Sequence, residues 1–241
     1  HPYIRDVESC YLSSSLAVDL AKKYDADLHV FHLTTEKEME LFTSGEVDNK
    51  KITAEVCVHH MHFNNSYYAE LGNQIKCNPS IKMESDRLAL IDALKNNKID
   101  IIATDHAPHT WDEKNQDYPL APAGLPLVQH GLQILMDFYH QDVLSLEMIV
   151  EKTSHNVAKR FQIKERGYIR EGYYADLAVL DLNKPYEVSE ENILYKVGWS
   201  PFSGKTFNSS IYMTVVNGHI AFLDGKINNN LPYGMQIEFN R

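Results

Sequence analysis

"KIDIIATDHAPHT", residues 98–110, runs from an apolar segment directly into a cluster of ligand-type side chains. The isoleucine-rich part, residues 99–103, is typical of a buried β-strand. Asp105, His106 and His109 follow within five positions, and a proline stiffens the turn that holds them. The segment therefore predicts a strand whose carboxyl end presents carboxylate and imidazole groups.

The sequence before and after this strand alternates between helical and strand-like segments. The order of these segments predicts an α/β fold with a parallel sheet covered by helices, either an open doubly wound sheet or part of a (β/α)8 barrel. No glycine-rich phosphate loop follows any predicted strand, which argues against nucleotide binding. The predicted strands are residues 25–33, 51–58 and 99–104, and the predicted helices are 6–23, 35–42 (with capping-box spacing of Thr35 and Glu38), 84–98, 127–139, 145–152 and 154–161.

The last third of the chain has a different pattern. "YADLAVLDL" (174–182) and "YMTVVNGHIAFLDGKI" (212–227) are rich in strand-forming residues. Asn217-Gly218 and Asp224-Gly225 are typical turns of tight β-hairpins. We therefore predict a small β module at the carboxyl end.

Composition excludes several classes of protein. The 241 residues carry a formal net charge of −10, so a nucleic-acid partner is not expected. No apolar run approaches the roughly 18 residues of a membrane span. The three cysteines are widely spaced and odd in number, which indicates a reducing compartment and predicts a cytoplasmic protein. Twelve histidines favour metal or proton chemistry.

Three predicted strands end in polar side chains: His32, the pair His59-His60, and Asp105. Ligands bind at the carboxyl ends of parallel strands, so His32 and Asp105 could share a Zn²⁺ ion at one edge of the sheet. His109 could pair with an anionic substrate group. Each residue alone is also typical of a hydrogen-bonded structural histidine or a turn-forming acid, and both interpretations stay open at this point.

Several segments together resemble the class I dihydroorotases of the amidohydrolase superfamily. The most specific are "ATDHAPHT" (103–110), "DEK" (112–114) and "APAGLP" (121–126). Others are "LHVFHLTTEKEMELF" (28–42), "ITAEVCVHHMHF" (52–63), "CNPSIK" (77–82) and "GYYADLAVLDL" (172–182). The resemblance extends through nearly all of the chain.

The resemblance implies a fold and a division into domains. Residues 1–165 would be strands six to eight of a (β/α)8 TIM barrel with their helices. Residues 166–241 would be the C-terminal part of a small β-sandwich. The chain begins in sequence that resembles the helix after strand five.

The resemblance also implies residue roles. His32 and Asp105 would be metal ligands, and Asp105 would be the catalytic proton shuttle. Asn78, His109, Ala123 and Gly124 would bind the substrate. The cofactor would be a binuclear zinc centre whose remaining ligands, including a His-x-His motif on strand one, are absent from this chain.

The implied activity is the reversible cyclisation of N-carbamoyl-L-aspartate to L-dihydroorotate in de novo pyrimidine biosynthesis. We expect this chain alone to be inactive, and we expect a homodimer, with aspartate transcarbamoylase as a candidate partner. One alternative is a related cyclic amidase (allantoinase, hydantoinase or dihydropyrimidinase), which His109 argues against. Another is a non-catalytic scaffold for aspartate transcarbamoylase, which the presence of His32 and Asp105 argues against.

Two segments depart from the family pattern. The family's usual Asn-Pro-Pro-Leu-Arg loop is Asn-Pro-Ser-Ile-Lys at residues 78–82, so a smaller cation replaces the arginine. Cys57-Val58 stands where Thr-Pro is usual. Both changes are compatible with a divergent member.

Overall fold

The computed structural model describes residues 1–228 and 233–240, which form two compact units. The first unit combines His1–Gly131 with Ile193–Ser203. The second combines Leu132–Asn192 with the described residues from Gly204 onward. Within the described residues, every helix is too short or too polar to serve as a membrane span.

The first unit contains a three-stranded parallel sheet in the order β1-β2-β3. Its elements are α1 (Val7–Tyr24), β1 (Leu28–Val30), β2 (Ile52–Cys57), α2 (Val58–His62), α3 (Tyr68–Leu71), α4 (Glu84–Lys95), β3 (Ile101–Ala103) and α5 (Trp111–Lys114). Short 3-10 helices lie at Lys37–Leu41, Val47–Asn49, Asn65–Tyr67 and Gly72–Ile75. The predicted α/β alternation and the parallel pairing are confirmed.

Strand β2 forms the buried centre of this sheet. Its Ala54, Val56 and Cys57 are fully buried, as expected for a parallel strand covered on both faces. Asp100, just before β3, accepts from the Ala54 amide at 3.0 Å and pairs with Lys50 at 2.7 Å. This buried ion pair fixes the start of β3 against β2.

Helix α1 confirms the helix predicted from residue 6. The Asp6 side chain caps it by accepting from the Ser9 amide at 2.8 Å. Two lysines lie in the last turn, where they favourably meet the negative end of the helix dipole. The helix ends at Tyr24, and the residue that caps it, Asp25, has a left-handed backbone (φ 52°).

The helix predicted at residues 35–42 is wrong in type, because Lys37–Leu41 is a 3-10 helix. Its predicted capping box is present, since the Glu38 carboxylate accepts from the Thr35 amide and hydroxyl. The same carboxylate is buried and accepts from the Ser14 hydroxyl of α1 at 2.6 Å. The buried Phe42, just after this helix, has an extended backbone (φ −112°). The buried Glu38 near its start and Phe42 at its end therefore limit the helix to a short turn.

The second unit is mixed. Its elements are α6 (Gly131–His140, whose first residue belongs to the first unit), α7 (Leu146–Val150), α8 (Asn156–Arg160), β4 (Leu177–Asp181), β5 (Tyr186–Glu187), β6 (Thr206–Phe207), β7 (Ser210–Val216), β8 (His219–Leu223) and β9 (Lys226–Ile227). A π-helical turn, Glu151–His155, joins α7 to α8, and a 3-10 helix lies at Glu190–Asn192. The two helices predicted at 145–152 and 154–161 are therefore one continuous helical segment.

The predicted β module is an antiparallel sheet in the order β4-β7-β8-β9, beside a two-stranded ladder of β5 and β6. Both predicted hairpin turns are confirmed. Asn217 and Gly218 have φ values of 49° and 82°, and Asp224 and Gly225 have 43° and 84°. Positive φ at both central residues is the requirement of the type I′ turn that suits a twisted hairpin.

Candidate functional site

The three parallel strands end at one edge of the sheet, and each is followed by polar side chains. His32 follows β1, His59 and His60 follow β2, and Asp105 follows β3. The parallel pairing brings these strand ends together, because neighbouring strands run in the same direction. The sequence-based expectation that these residues share an edge agrees with this topology.

His32 and Asp105 share an uncommon backbone conformation. Their φ values are 41° and 49°, in the left-handed region that residues other than glycine seldom adopt. Such conformations concentrate at functional sites, where the surrounding structure holds them in place. In His32, Nδ1 is buried and has no hydrogen-bond partner among the described residues.

Electrostatic effects connect these strand ends to one another. Burial, together with a smaller electrostatic contribution from His32, lowers the pKa of His59 to about 3. Burial raises the pKa of Cys57 well above its ordinary value, with Glu55 and Asp105 adding to the shift. His32 therefore acts on the histidine pair after β2, and Asp105 acts on the thiol at its end.

The loop after β3 pairs with the segment that contains Gly124. The Ala107 amide donates to the Leu125 carbonyl at 3.0 Å, and His106 and Leu125 form a parallel bridge. Gly124 has a φ of 145°, and a Cβ placed on it would lie 2.4 Å from the Ala107 carbonyl oxygen and 3.1 Å from Cδ2 of His109. Two predicted substrate residues, His109 and Gly124, are therefore in close contact.

The Gly124 amide is bonded to the backbone of another loop. This N–H donates to the Lys76 carbonyl at 2.9 Å. Glycine is required here because of the close approach to Ala107 and because of its backbone conformation. Ala123, the preceding predicted substrate residue, is half-buried.

Lys114 joins the Gly124 loop to the segment that contains Lys76. Its ammonium donates to the carbonyls of Lys76, Pro122 and Gly124 at 3.0, 3.0 and 2.9 Å, and only 1 % of the residue is exposed. Burial lowers its pKa to about 8. The "DEK" segment thus contributes a buried cation that joins two loops.

Helix α5, which carries Lys114, begins with a capping box. Glu113 accepts from the Thr110 amide at 2.8 Å, and Thr110 accepts from the Glu113 amide at 3.4 Å. The Glu113 carboxylate also lies 3.9 Å from Nδ1 of His109. The histidine predicted to bind substrate therefore lies directly before the capped first turn of α5.

His109 has a further neighbour in Trp199. The indole Nε1 of Trp199 donates to the His109 carbonyl at 2.8 Å. Trp111 packs edge-on against Trp199, with ring centroids 5.9 Å apart. Both tryptophans of the chain therefore lie beside this loop.

Asn78, predicted to bind the substrate carboxylate, lies on an exposed turn next to the same loops. The peptide bond between Asn78 and Pro79 is cis. Two residues earlier, the Lys76 carbonyl accepts from both the Gly124 amide and the Lys114 ammonium. The Asn78 turn and the Gly124 loop are therefore tied at a shared point.

Lys82 replaces the family's arginine and is buried. Its ammonium donates to the Ser80 hydroxyl at 2.8 Å and to the Ser80 carbonyl at 3.0 Å. The Ser80 hydroxyl in turn donates to the Arg5 carbonyl at 2.8 Å. Lys82 therefore stabilises the turn that carries Asn78.

Sequence reasoning missed Lys76 and Lys114. Their partners are backbone carbonyls up to 45 positions away, and no local pattern identifies such partners. The capping-box spacing from Thr110 to Glu113 predicts the helix start just before Lys114, but not the burial of this lysine. The close grouping of Cys57 with His59 and His60 was also missed.

Comparison with protein families gives one match over most of the chain. Residues 17–221 match the amidohydrolase family. The chain is 34% identical to a dihydroorotase from Endomicrobium trichonymphae over 84% of this chain and 48% of that protein. It is 33% identical to a dihydroorotase from Methanosphaera stadtmanae over 94% of this chain and 52% of that protein.

Solved structures with the same fold include two hydantoinases. A D-hydantoinase from Bacillus sp. AR9 superposes with a TM-score of 0.82 at 20% identity, over 94% of this chain and 51% of that chain. An L-hydantoinase (dihydropyrimidinase) from Arthrobacter aurescens gives 0.80 at 23% identity, over 89% of this chain and 49% of that chain. At these identities the likeness concerns the fold, which is an amidohydrolase-like α/β fold.

The chain spans about half the length of the curated relatives it matches. The family match nonetheless covers far more than half of its 241 residues. The chain belongs to the amidohydrolase family.

Proposed function

We propose that the native protein containing this chain is a metal-dependent dihydroorotase, which interconverts N-carbamoyl-L-aspartate and L-dihydroorotate. One observation carries the proposal. The ends of β1 and β3 bring His32 and Asp105 to one edge of the parallel sheet, beside loops that hold His109 and Gly124 in contact. A cyclic-amide hydrolase needs such a combination of metal ligands, a carboxylate and groups for an anionic substrate.

We also propose where the two units belong in the native fold. The parallel sheet would be strands six to eight of a (β/α)8 TIM barrel within residues 1–165. The antiparallel sheet would be the C-terminal part of a β-sandwich within residues 166–241. The likeness to hydantoinases over about half of their length supports this placement.

The donor set fits a zinc ion. His32 offers a buried, unpartnered Nδ1, and Asp105 offers an exposed carboxylate. His32 and Asp105 would hold the metal together with ligands from outside this chain, in a binuclear centre. When bound, Zn²⁺ would polarise the amide carbonyl and make an attacking water more acidic.

Asp105 would then move the proton. In the hydrolytic direction, its carboxylate takes a proton from the attacking water and delivers it to the ring nitrogen as the C–N bond breaks. In the synthetic direction the same proton returns by the same path. Its position at the end of β3, held in a left-handed conformation, keeps this carboxylate at the sheet edge.

The substrate carboxylate would be bound by the loops beside Asp105. His109 and Asn78 supply side-chain donors, and the backbone at Ala123 and Gly124 shapes the pocket wall. Lys114 would position these loops through the carbonyls of Pro122 and Gly124.

The test is a substrate panel on the full-length native protein. We expect hydrolysis of L-dihydroorotate, inhibited by a chelator, and little activity on dihydrouracil, hydantoin or allantoin. Asp105→Asn should lower kcat by about 10²–10⁴-fold, because the proton shuttle is lost. His109→Ala should chiefly raise KM for dihydroorotate.

Each alternative predicts a different result in this panel. A preference for hydantoin, dihydrouracil or allantoin would replace dihydroorotase by a sister cyclic amidase. A folded, metal-free and inactive protein that co-purifies with aspartate transcarbamoylase would indicate a scaffold.

The native protein would act on a small molecule in the cytoplasm as a homodimer. Support for self-association comes from α1, which exposes Leu12, Leu16 and Leu20 at four-residue spacing. Such a stripe lies along one face of a helix and is suited to burial against another surface. The mass of the full-length protein in solution tests the proposed homodimer, and a strict monomer would contradict it.

A further inference from the structure

Cys57, His59 and His60 form a compact group of metal-binding side chains at the end of β2. The Cys57 Sγ and one ring nitrogen of each histidine all lie within 4.8 Å of one another. The three residues are 0, 0 and 3 % exposed. The group is therefore a closed cluster inside the first unit.

His59 is the least satisfied member of the group. Both of its ring nitrogens are buried and have no hydrogen-bond partner among the described residues. A buried polar group without a partner is destabilising, and folded chains normally avoid it. A cation bound by the lone pair of one of these nitrogens would give that nitrogen a partner.

His60 is oriented as a metal-ligating histidine commonly is. Its Nε2 lies 3.1 Å from the Pro79 carbonyl oxygen. Because a carbonyl oxygen can only accept, the His60 Nε2–H must be the donor. This bond places the proton on Nε2 and leaves the lone pair on Nδ1, which is buried without a partner among the described residues. A ligating histidine typically fixes its tautomer by donating its other N–H to a carbonyl in this way.

Cys57 supplies the third donor. It is a free, buried thiol on the last residue of β2, immediately before α2. One thiolate sulfur and two imidazole nitrogens are a donor set that suits Zn²⁺ and Co²⁺, whereas Mg²⁺ and Ca²⁺ prefer oxygen.

We propose that Cys57, His59 and His60 bind one zinc-class divalent cation, at a site separate from the His32 and Asp105 pair. On binding, the Cys57 S–H bond is replaced by a sulfur–metal bond, and the thiol proton leaves to solvent. The ion would join the end of β2 to the first turn of α2. This site does not depend on dihydroorotase activity, since none of its three ligands has a role in the proposed reaction.

The test is addition of Co²⁺ to the metal-free 241-residue chain. Because the three side chains are buried, the metal is added during refolding as well as to the folded chain. We expect a thiolate-to-cobalt charge-transfer band that saturates at one ion per chain. Cys57→Ser should abolish the band, and His59→Gln should weaken cobalt binding at least tenfold.

Two matched variants locate the signal. Cys10→Ser removes a half-buried thiol outside the cluster and should leave the band unchanged. His32→Gln should also leave it unchanged, which separates this site from the proposed catalytic one. A band that survives Cys57→Ser, or that disappears in His32→Gln, would overturn the proposal.

A measurement without variants covers the case in which Cys57→Ser fails to fold. X-ray absorption of the zinc-loaded wild-type chain should show sulfur together with imidazole in the first coordination shell. A shell of only nitrogen and oxygen would contradict the assignment, as would a correctly folded wild-type chain that binds neither metal. Absence of dihydroorotase activity in the native protein would leave these results unaffected.

Discussion

His106 shows how a local contact assigns the role of a residue within a motif. Its Nδ1 accepts hydrogen bonds from the amides of Leu127 and Val128 at 2.9 and 3.3 Å. Burial lowers its pKa, which favours the neutral ring that can accept these bonds. His106 is therefore a structural acceptor, while its neighbours Asp105 and His109 remain available for chemistry.

Gly124 allows a direct prediction at this scale. Gly124→Ala would place a methyl group against the Ala107 carbonyl, whereas Gly45→Ala, at a similar φ of 140°, meets only the flexible end of Lys50 at 3.9 Å. We expect Gly124→Ala to lower the free energy of unfolding by about 1–3 kcal/mol more than Gly45→Ala does. Urea unfolding of both variants gives the difference, and equal losses would show that the close approach is unimportant.

Lys114 allows a second prediction. Lys114→Met removes the donor for three carbonyls, so we expect a loss of about 2–4 kcal/mol in the free energy of unfolding. Lys22→Met, on the exposed surface of α1, is the matched control and should change little. Urea unfolding measures both, and similar stability of the two variants would contradict a tethering role.

These residues also mark what the sequence could predict about the site. His32, Asp105 and His109 combine a ligand-type side chain with a position after a strand, and both signals are local. Lys114 lacks such a signal, because its role depends on carbonyls brought together by the fold. The hydrogen bond from the Gly124 amide to Lys76 is unpredictable for the same reason.

At the scale of elements, local signals predicted the boundaries that a cap or a tight turn marks. The cap at Asp6 and the turn at Asn217-Gly218 act within a few residues, and both are as expected. The 3-10 helix at Lys37–Leu41 was missed because the bond between Ser14 and Glu38 spans 24 positions. Long-range contacts of this kind override local helix preference.

Helix α4 allows a prediction about acid stability. The bonds from Arg87 hold the pKa of Glu84 at about 2, against an ordinary 4.5, with Asn64 contributing. This interaction is fully present above pH 4.5 and is lost as the pH falls through 2. Because Glu84 is partly exposed, we expect it to contribute only about 0.5–1 kcal/mol.

Glu84→Gln tests this contribution. The variant should show a shallower fall in the free energy of unfolding between pH 4.5 and 2 than the wild-type chain. Glu70→Gln, an exposed acid on α3, serves as the control. Parallel pH profiles for Glu84→Gln and wild type would show that the pair with Arg87 has no stabilising effect.

At the scale of the whole molecule, the parallel sheet has three strands within residues 1–228 and 233–240, with β1 and β3 at its edges. A sheet of three strands cannot close on itself, and an unpaired edge strand exposes hydrogen-bonding groups. The predicted ligands His32 and Asp105 are also too few for a binuclear centre. The fold class could be inferred from the chain, but a complete catalytic centre could not.

We therefore predict that the 241-residue chain alone has no chelator-sensitive dihydroorotate hydrolysis. The full-length protein proposed above, assayed under the same conditions with zinc, should be active. Matched protein concentrations and a circular dichroism check of folding make the comparison fair. Robust hydrolysis by the 241-residue chain would show that its own residues complete the site.

The pair formed by Trp111 and Trp199 gives this protein an intrinsic fluorescence signal beside the His109 loop. The chain has only these two indoles, and Trp199 donates to the backbone of His109. Fluorescence excited in the indole band therefore arises almost entirely beside one loop. Movement of that loop on ligand binding would change the emission without any attached dye, and a titration in a fluorimeter would follow it in real time.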